Sequence, residues 1–241
     1  MVFPFPTTSA YLGVTSAEIL THVSYAGYNP TIPATVESGD LLVVGHYAQD
    51  DTPNIPSGWT TIASAGNANG IFSSSGAMLA YKIASASDAS TTLTGLSYNA
   101  NRSGGVLYVF RANERINSVT VSTSDRLQYA GTGSSSGTYY CSSSTKPTIA
   151  LACLGQSSTD MIATTPVLDA VSNYGEFRNA SGGSDPIGGS ENYFGGYTDS
   201  GDESGATVYA LCQTPSAAVD IYSYMPSGTI RAHVAAYIEV S

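Results

Sequence analysis

The chain has 241 residues, with 18 Asp+Glu against 8 Lys+Arg, a formal net charge of −10, 11% charged and 42% hydrophobic residues. Charge this sparse beside so many apolar residues excludes a disordered chain, and the excess of acid excludes the basic footprint that nucleic acid or an anionic bilayer requires. No apolar run is long enough to span a membrane as a helix, so membrane insertion is not expected.

The N-terminus, Val2-Phe3-Pro4-Phe5-Pro6, reads as an extended, proline-locked arm covering residues 1–15. Phe3 and Phe5 are its assembly contacts, lying across the chain's own fold or on a neighbouring subunit. The segment lacks a basic n-region and is expected not to be a signal peptide. Thr15 and Glu18 have capping-box spacing and predict one helical turn near 16–20. No other helix signal is sustained.

Strand signals then follow one another. Leu41–Tyr47 (LLVVGHY), Met78–Ala84 (MLAYKIA), Val106–Arg111 (VLYVFR) and Thr148–Leu154 (TIALACL) are short apolar runs bounded by Gly, Ser, Asp or Pro. Such runs suit strands covered on both faces. Trp59–Ala63, Thr91–Leu96, Val119–Thr123, Val167–Val171, Thr207–Cys212 and Val219–Met225 are weaker candidates, and 131–145 reads as a loop. The C-terminal TIRAHVAAYIEV alternates strictly: Ile230, Ala232, Val234, Ala236, Ile238 and Val240 form a buried face, and Arg231, His233, Ala235, Tyr237 and Glu239 a wetter one. Many short strands without helical crossovers predict an all-β, antiparallel β-sandwich of jelly-roll character, one domain over 16–241. The order of signals repeats weakly between the halves, with Gly76-Ala77 and Gly205-Ala206 opening equivalent strands, so each half is expected to supply about five strands.

Candidate chemistry is thin. Cys141, Cys153 and Cys212 are an odd number and read as small buried hydrophobes, a usage that fits a reducing compartment. His22, His46 and His233 are isolated in sequence, and Asp40 is a turn residue leading into a strand. Trp59 follows a Pro-Ser-Gly turn and reads as a core anchor, with a sugar platform as the alternative. The acids at Asp50-Asp51 and Asp199–Glu203 lack calcium-loop spacing. No catalytic residue, metal ligand or cofactor is assigned. The stretch 172–205 is the longest without regular signals; nine of its 34 residues are Gly, and it carries six acids against one Arg. Tyr174, Phe177, Tyr193, Phe194 and Tyr197, set among Gly, Ser and Asn, have the composition of an adaptable contact surface and are the candidate residues for a glycan or protein partner.

Four segments carry a resemblance: Gly39-Asp40-Leu41-Leu42-Val43-Val44, Pro56-Ser57-Gly58-Trp59-Thr60, Ala80-Tyr81-Lys82-Ile83-Ala84, and Val106–Arg111 with Ala112. Together they resemble β-sandwich structural proteins of tailed bacteriophages, of the minor-tail or head-decoration type. The resemblance is strongest over residues 32–112. It implies a non-enzymatic virion protein assembled in the host cytoplasm and exposed on the particle, with other virion proteins as partners and a host-adhesion role through the Tyr-rich loops. Sheet edges that need covering imply a homo-oligomer, with a trimer as the first arrangement to consider. A carbohydrate-binding β-sandwich module is the alternative.

Overall fold

The computed structural model describes residues 13–49, 53–66, 75–96, 103–122, 127–132, 138–140, 146–157, 176–179, 192–195, 204–212, 219–222 and 230–241. All regular structure among them is β: β1 (Ala17–Ala26), β2 (Leu41–Gln49), β3 (Thr60–Ala65), β4 (Ser75–Ile83), β5 (Ser103–Ala112), β6 (Val119–Val121), β7 (Leu127–Thr132), β8 (Thr138–Tyr140), β9 (Thr148–Ser157), β10 (Glu176–Asn179), β11 (Asn192–Gly195), β12 (Ser204–Cys212), β13 (Val219–Tyr222) and β14 (Ile230–Val240). Every strand pairing is antiparallel.

The first sheet has the order β1-β5-β2-β4-β3, and the second β11-β12-β9-β14-β6, with β7 also on β14. A short third sheet runs β10-β13-β8. The first sheet comes entirely from the first half of the chain. In the second, β9, β12 and β14 take the places that β2, β4 and β5 hold in the first. The weak repeat in the sequence is thus matched by strand order. The jelly roll is not confirmed. That topology alternates strands between layers, whereas β1–β5 all enter one sheet.

The two large sheets bury a common interior. Leu41, Val43, Ile62, Leu79, Tyr108 and Phe110 meet Ile149, Leu151, Tyr209, Val234, Ala236 and Ile238 there. Tyr209 of β12 stands edge-on to Tyr108 and Phe110 of β5, at centroid distances of 5.0 and 5.3 Å, and ties the layers with aromatic contacts. Tyr108 also donates its hydroxyl proton to the Thr207 carbonyl oxygen at 2.7 Å.

The opposite face of the first sheet has its own core. Leu42, Val44, Met78, Ala80, Leu107 and Val109 lie under Ile32, Val36, Leu93 and Leu96. These last four come from the segments joining β1 to β2 and β4 to β5. Those segments bond to each other, Ile32 N–H to the Thr91 carbonyl and Leu93 N–H to that of Pro30, both at 2.8 Å. Burial on both faces explains why LLVV runs without alternation.

Several sequence expectations change. Residues 16–20 form no helical turn; they open β1, whose side chains pack against β5, and tertiary pairing overrides the local capping pattern. Thr91–Leu96 holds only an isolated bridge, Thr31 to Thr92. The region 131–145 contributes to β7 and contains β8. In β14 the parity expected to be wetter includes Ala235 and Tyr237, both buried. Val167–Val171 lies outside the described residues.

Candidate functional site

The four segments of the resemblance meet at the core and at one end of the first sheet. Gly39 turns the chain into β2 with a φ of 99°, a left-handed conformation that glycine adopts freely. A Cβ there would also lie 2.5 Å from Cγ of Arg115. The turn delivers Asp40 to a position 3% exposed. On the neighbouring strand, the penultimate residue of β5 is Arg111, whose guanidinium grips the Asp40 carboxylate as a fork: Nε donates to Oδ1 and Nη2 to Oδ2, each at 2.8 Å. The Glu37 backbone N–H donates to the same Oδ2 at 2.7 Å, and Nη2 also reaches the Thr35 carbonyl at 3.1 Å. Glu37 adds a more exposed contact to Nη1 at 3.1 Å. The hydrogen-bonded Asp40 carboxylate raises the Arg111 pKa above its already high value, so the guanidinium stays charged.

A groove of about 230 Å³ opens beside the fork, lined by Glu37, Ser38, Arg111, Asn113, Glu114 and Arg115. Asn113 closes one side by accepting the N–H groups of Thr15 and Ser16 at 2.9 Å. The start of the described chain is thereby tied to its own sandwich, with Val14 buried in the interior.

Lys82, the cation of the AYKIA segment, pairs with Asp88. The backbone N–H and hydroxyl of Ser85 both donate to Oδ2 of Asp88 at 2.7 Å. Burial works to raise the Asp88 pKa, but the bonds from Lys82 and Ser85 outweigh it and leave the carboxyl below its usual value. Trp59 is half-buried and packs on the outer core, its backbone N–H closing a turn onto the Pro56 carbonyl at 3.1 Å. The core-anchor reading of Trp59 accounts for this placement.

Breaking the fork should be costly. Arg111→Met leaves a carboxylate buried without its cation, and the expected loss is about 3 kcal/mol. Arg111 is 30% exposed on its side chain, so water relieves part of the full penalty. Urea unfolding of Arg111→Met, and of Arg111→Met with Asp40→Asn, checks this: the double variant should recover part of the loss. Equal midpoints for wild type and Arg111→Met would rule the clamp out.

The least expected polar site is His46. It is fully buried on the outer face of β2, in register with Gly105 of β5, which in turn faces Tyr25 of β1. Gly105 has no side chain, so Tyr25 reaches across it. The Tyr25 hydroxyl lies 3.0 Å from His46 Nδ1, with the rings stacked at 5.8 Å and 8°. His46 Nε2 is buried without a hydrogen-bond partner among the described residues. Burial lowers the His46 pKa to about 3, against a smaller opposing effect of the Gly104 backbone. Burial also pushes the Tyr25 hydroxyl well above its ordinary value. On the other face, Cys153 donates to the His46 carbonyl at 3.6 Å and accepts from Thr207 Oγ1 at 3.5 Å. Burial raises the Cys153 thiol to about 11, so it stays protonated and packs as an apolar group. The sequence signal for this site was the Gly104-Gly105 pair opening β5, which makes room for an aromatic ring on each face. Read one residue at a time, it is only a bulky-residue gap in a strand.

Of the residues assigned to partner contact, Phe177 falls in β10, opposite Ile221. Tyr193 and Phe194 fall in β11, at the edge of the second sheet, opposite Val208 and Thr207. Tyr174, Tyr197, Phe3 and Phe5 lie outside the described residues. Parts of 172–205 are thus strands: β10 and β11, and the first residues of β12. Comparison with known proteins finds no matching family model, curated protein or solved structure.

Proposed function

We propose that the chain is a non-enzymatic structural protein of a tailed-bacteriophage virion, a surface-exposed decoration or tail-associated component that touches the host through its Tyr-rich loops. One observation carries the reading. The charged residues and the tryptophan that mark the resemblance hold the sandwich: Asp40 and Arg111 clamp β2 to β5, Lys82 binds the Asp88 turn, and Trp59 packs on the outer core. Residues committed in this way support a scaffold that displays its loops. Its partners are other virion proteins and further copies of itself, with a host glycan or protein at the loops.

Immunogold labelling of intact particles with serum against the purified chain, joined to peptide mass spectrometry of washed particles, tests this. The expected result is the chain in the particle and gold on its outside. A chain absent from washed particles that binds sugars on a glycan array as a monomer would overturn it in favour of a carbohydrate-binding module.

A further inference from the structure

His46 lies in β2, the middle strand of the first sheet. Its ring is fully buried, Nδ1 meets the Tyr25 hydroxyl, and Nε2 has no hydrogen-bond partner among the described residues. Parting β2 from its neighbours would bring water to the ring, but the ladders there are long: Leu41–Ala48 with β5 and Leu41–Gln49 with β4. Tyr25 offers a shorter way. It belongs to β1, one strand further out, and reaches the imidazole over Gly105, which has no side chain to keep the two apart. Tyr25 is itself only half-buried on the outer core, and moving it uncovers Nδ1 without breaking either β2 ladder.

The strand that carries Tyr25 has two parts. The first is anchored: Asn113 holds the N–H groups of Thr15 and Ser16, Ala17 is buried, Ile19 packs on the interior, and the His22 ring lies 6.3 Å from that of Tyr108. The ladder to β5 is irregular between Ile19 and Thr21. The last stretch, Val23–Ala26, stands against Leu107, Val106, Gly105 and Gly104. The two glycines offer no side chain for a cross-strand contact. Gly27 follows, left-handed at a φ of 82°, with its N–H on the Ser103 carbonyl at 2.8 Å.

We propose that Val23–Ala26 is an acid-operated lid: protonation of His46 lifts Tyr25 and this end of β1 off β5 while the rest of the sandwich holds. Such a lid works whether or not the chain belongs to a particle. Both nitrogens of an imidazolium are donors, so Nδ1 no longer accepts from Tyr25 and Nε2 needs an acceptor. Water meets both needs once the lid is up. Among the described residues, Tyr25 is the titratable side chain that meets the ring. From β5 the ring faces Gly104 and Gly105, from β4 its register partner is Met78, and Tyr47 and Cys153 lie on the other face of β2. No carboxylate among these groups steadies the charge in place. Covered, His46 titrates at about 3, and wet, near 6.5, so the proton favours the lifted state by up to about 3,000-fold.

Hydrogen exchange of the full chain, read by mass spectrometry from pH 6 to pH 4, tests the lid. Protection of the amides in Val23–Ala26 should fall by up to about tenfold per pH unit, while peptides from β9 and β14 keep theirs, as expected of a local opening. In His46→Gln the protection of Val23–Ala26 should not change with pH. Constant protection in wild type, an equal fall in His46→Gln, or a fall shared in step by β9 and β14 overturns the proposal. The cover is tested separately with diethyl pyrocarbonate at pH 7. His46 should stay unmodified in wild type and react in Tyr25→Ala, and a wild type that reacts as readily as the variant, or a variant that stays unmodified, removes Tyr25 as the lid.

Discussion

Gly105→Ala should destabilise the protein by at least about 3 kcal/mol, a large part of the 5–15 kcal/mol that holds a typical domain. A Cβ at 105 would overlap the carbonyl oxygen of Gly45 on the neighbouring strand and lie 2.7 Å from the Tyr25 hydroxyl. A flexible side chain could swing aside, but the carbonyl is backbone in the centre of a sheet. Relief would require β2 and β5 to separate where their ladder is continuous. Gly104→Ala should cost less, since the nearest atom there is the Tyr47 hydroxyl at 2.7 Å, the far end of a side chain, although the Tyr25 carbonyl is at 2.9 Å. Denaturant midpoints of the two variants check the order, and an unchanged midpoint for Gly105→Ala would refute the close approach.

The second large effect is acid lability centred on His46. In the unfolded chain this histidine titrates near 6.5; in the fold, burial holds its pKa at about 3. Above pH 6.5 both states are neutral and His46 adds no pH dependence. Between 6.5 and 3 the unfolded chain takes up a proton that the native state refuses, so stability falls as pH falls, by up to about 1.4 kcal/mol per pH unit. Below 3 this contribution is flat. The groups facing the His46 ring do not rescue the charge: Tyr25 is protonated throughout this range, the Gly104 backbone opposes the lowering only in part, and Nε2 has no hydrogen-bond partner among the described residues. Asp88, with its lowered pKa, also loses stability at the acid end, as pH falls through its folded pKa. Comparing wild type with His46→Gln isolates the histidine. Unfolding free energies from pH 7 to pH 4 should fall more steeply for wild type than for the variant, and parallel slopes would exclude His46 as the cause. Such a protein would be robust near neutrality and yield early in acid.

Much of the sandwich is legible in the chain because its cause is local. Period-two alternation in 230–240 and unbroken apolar runs such as LLVV follow from how side chains leave a strand, and each became the strand it predicts. The weak repeat between halves was legible for the same reason: Gly76-Ala77 and Gly205-Ala206 do lie at the starts of β4 and β12, which hold equivalent places. Asp40 was readable as a turn residue, but its partner Arg111 was not, because 71 residues separate them and only the β2–β5 pairing brings them together. His46 looked isolated for the same reason. Tyr25 lies 21 residues before it and reaches it only across a glycine of a third strand. The helical turn near 16–20 failed because a capping pattern is worth little against a full ladder to β5. Composition and periodicity therefore determined the β-rich architecture, since they act through neighbours along the chain. Strand order, the Asp40–Arg111 fork and the buried Tyr25–His46 pair were decided only by the tertiary structure, because each depends on which distant strands become neighbours.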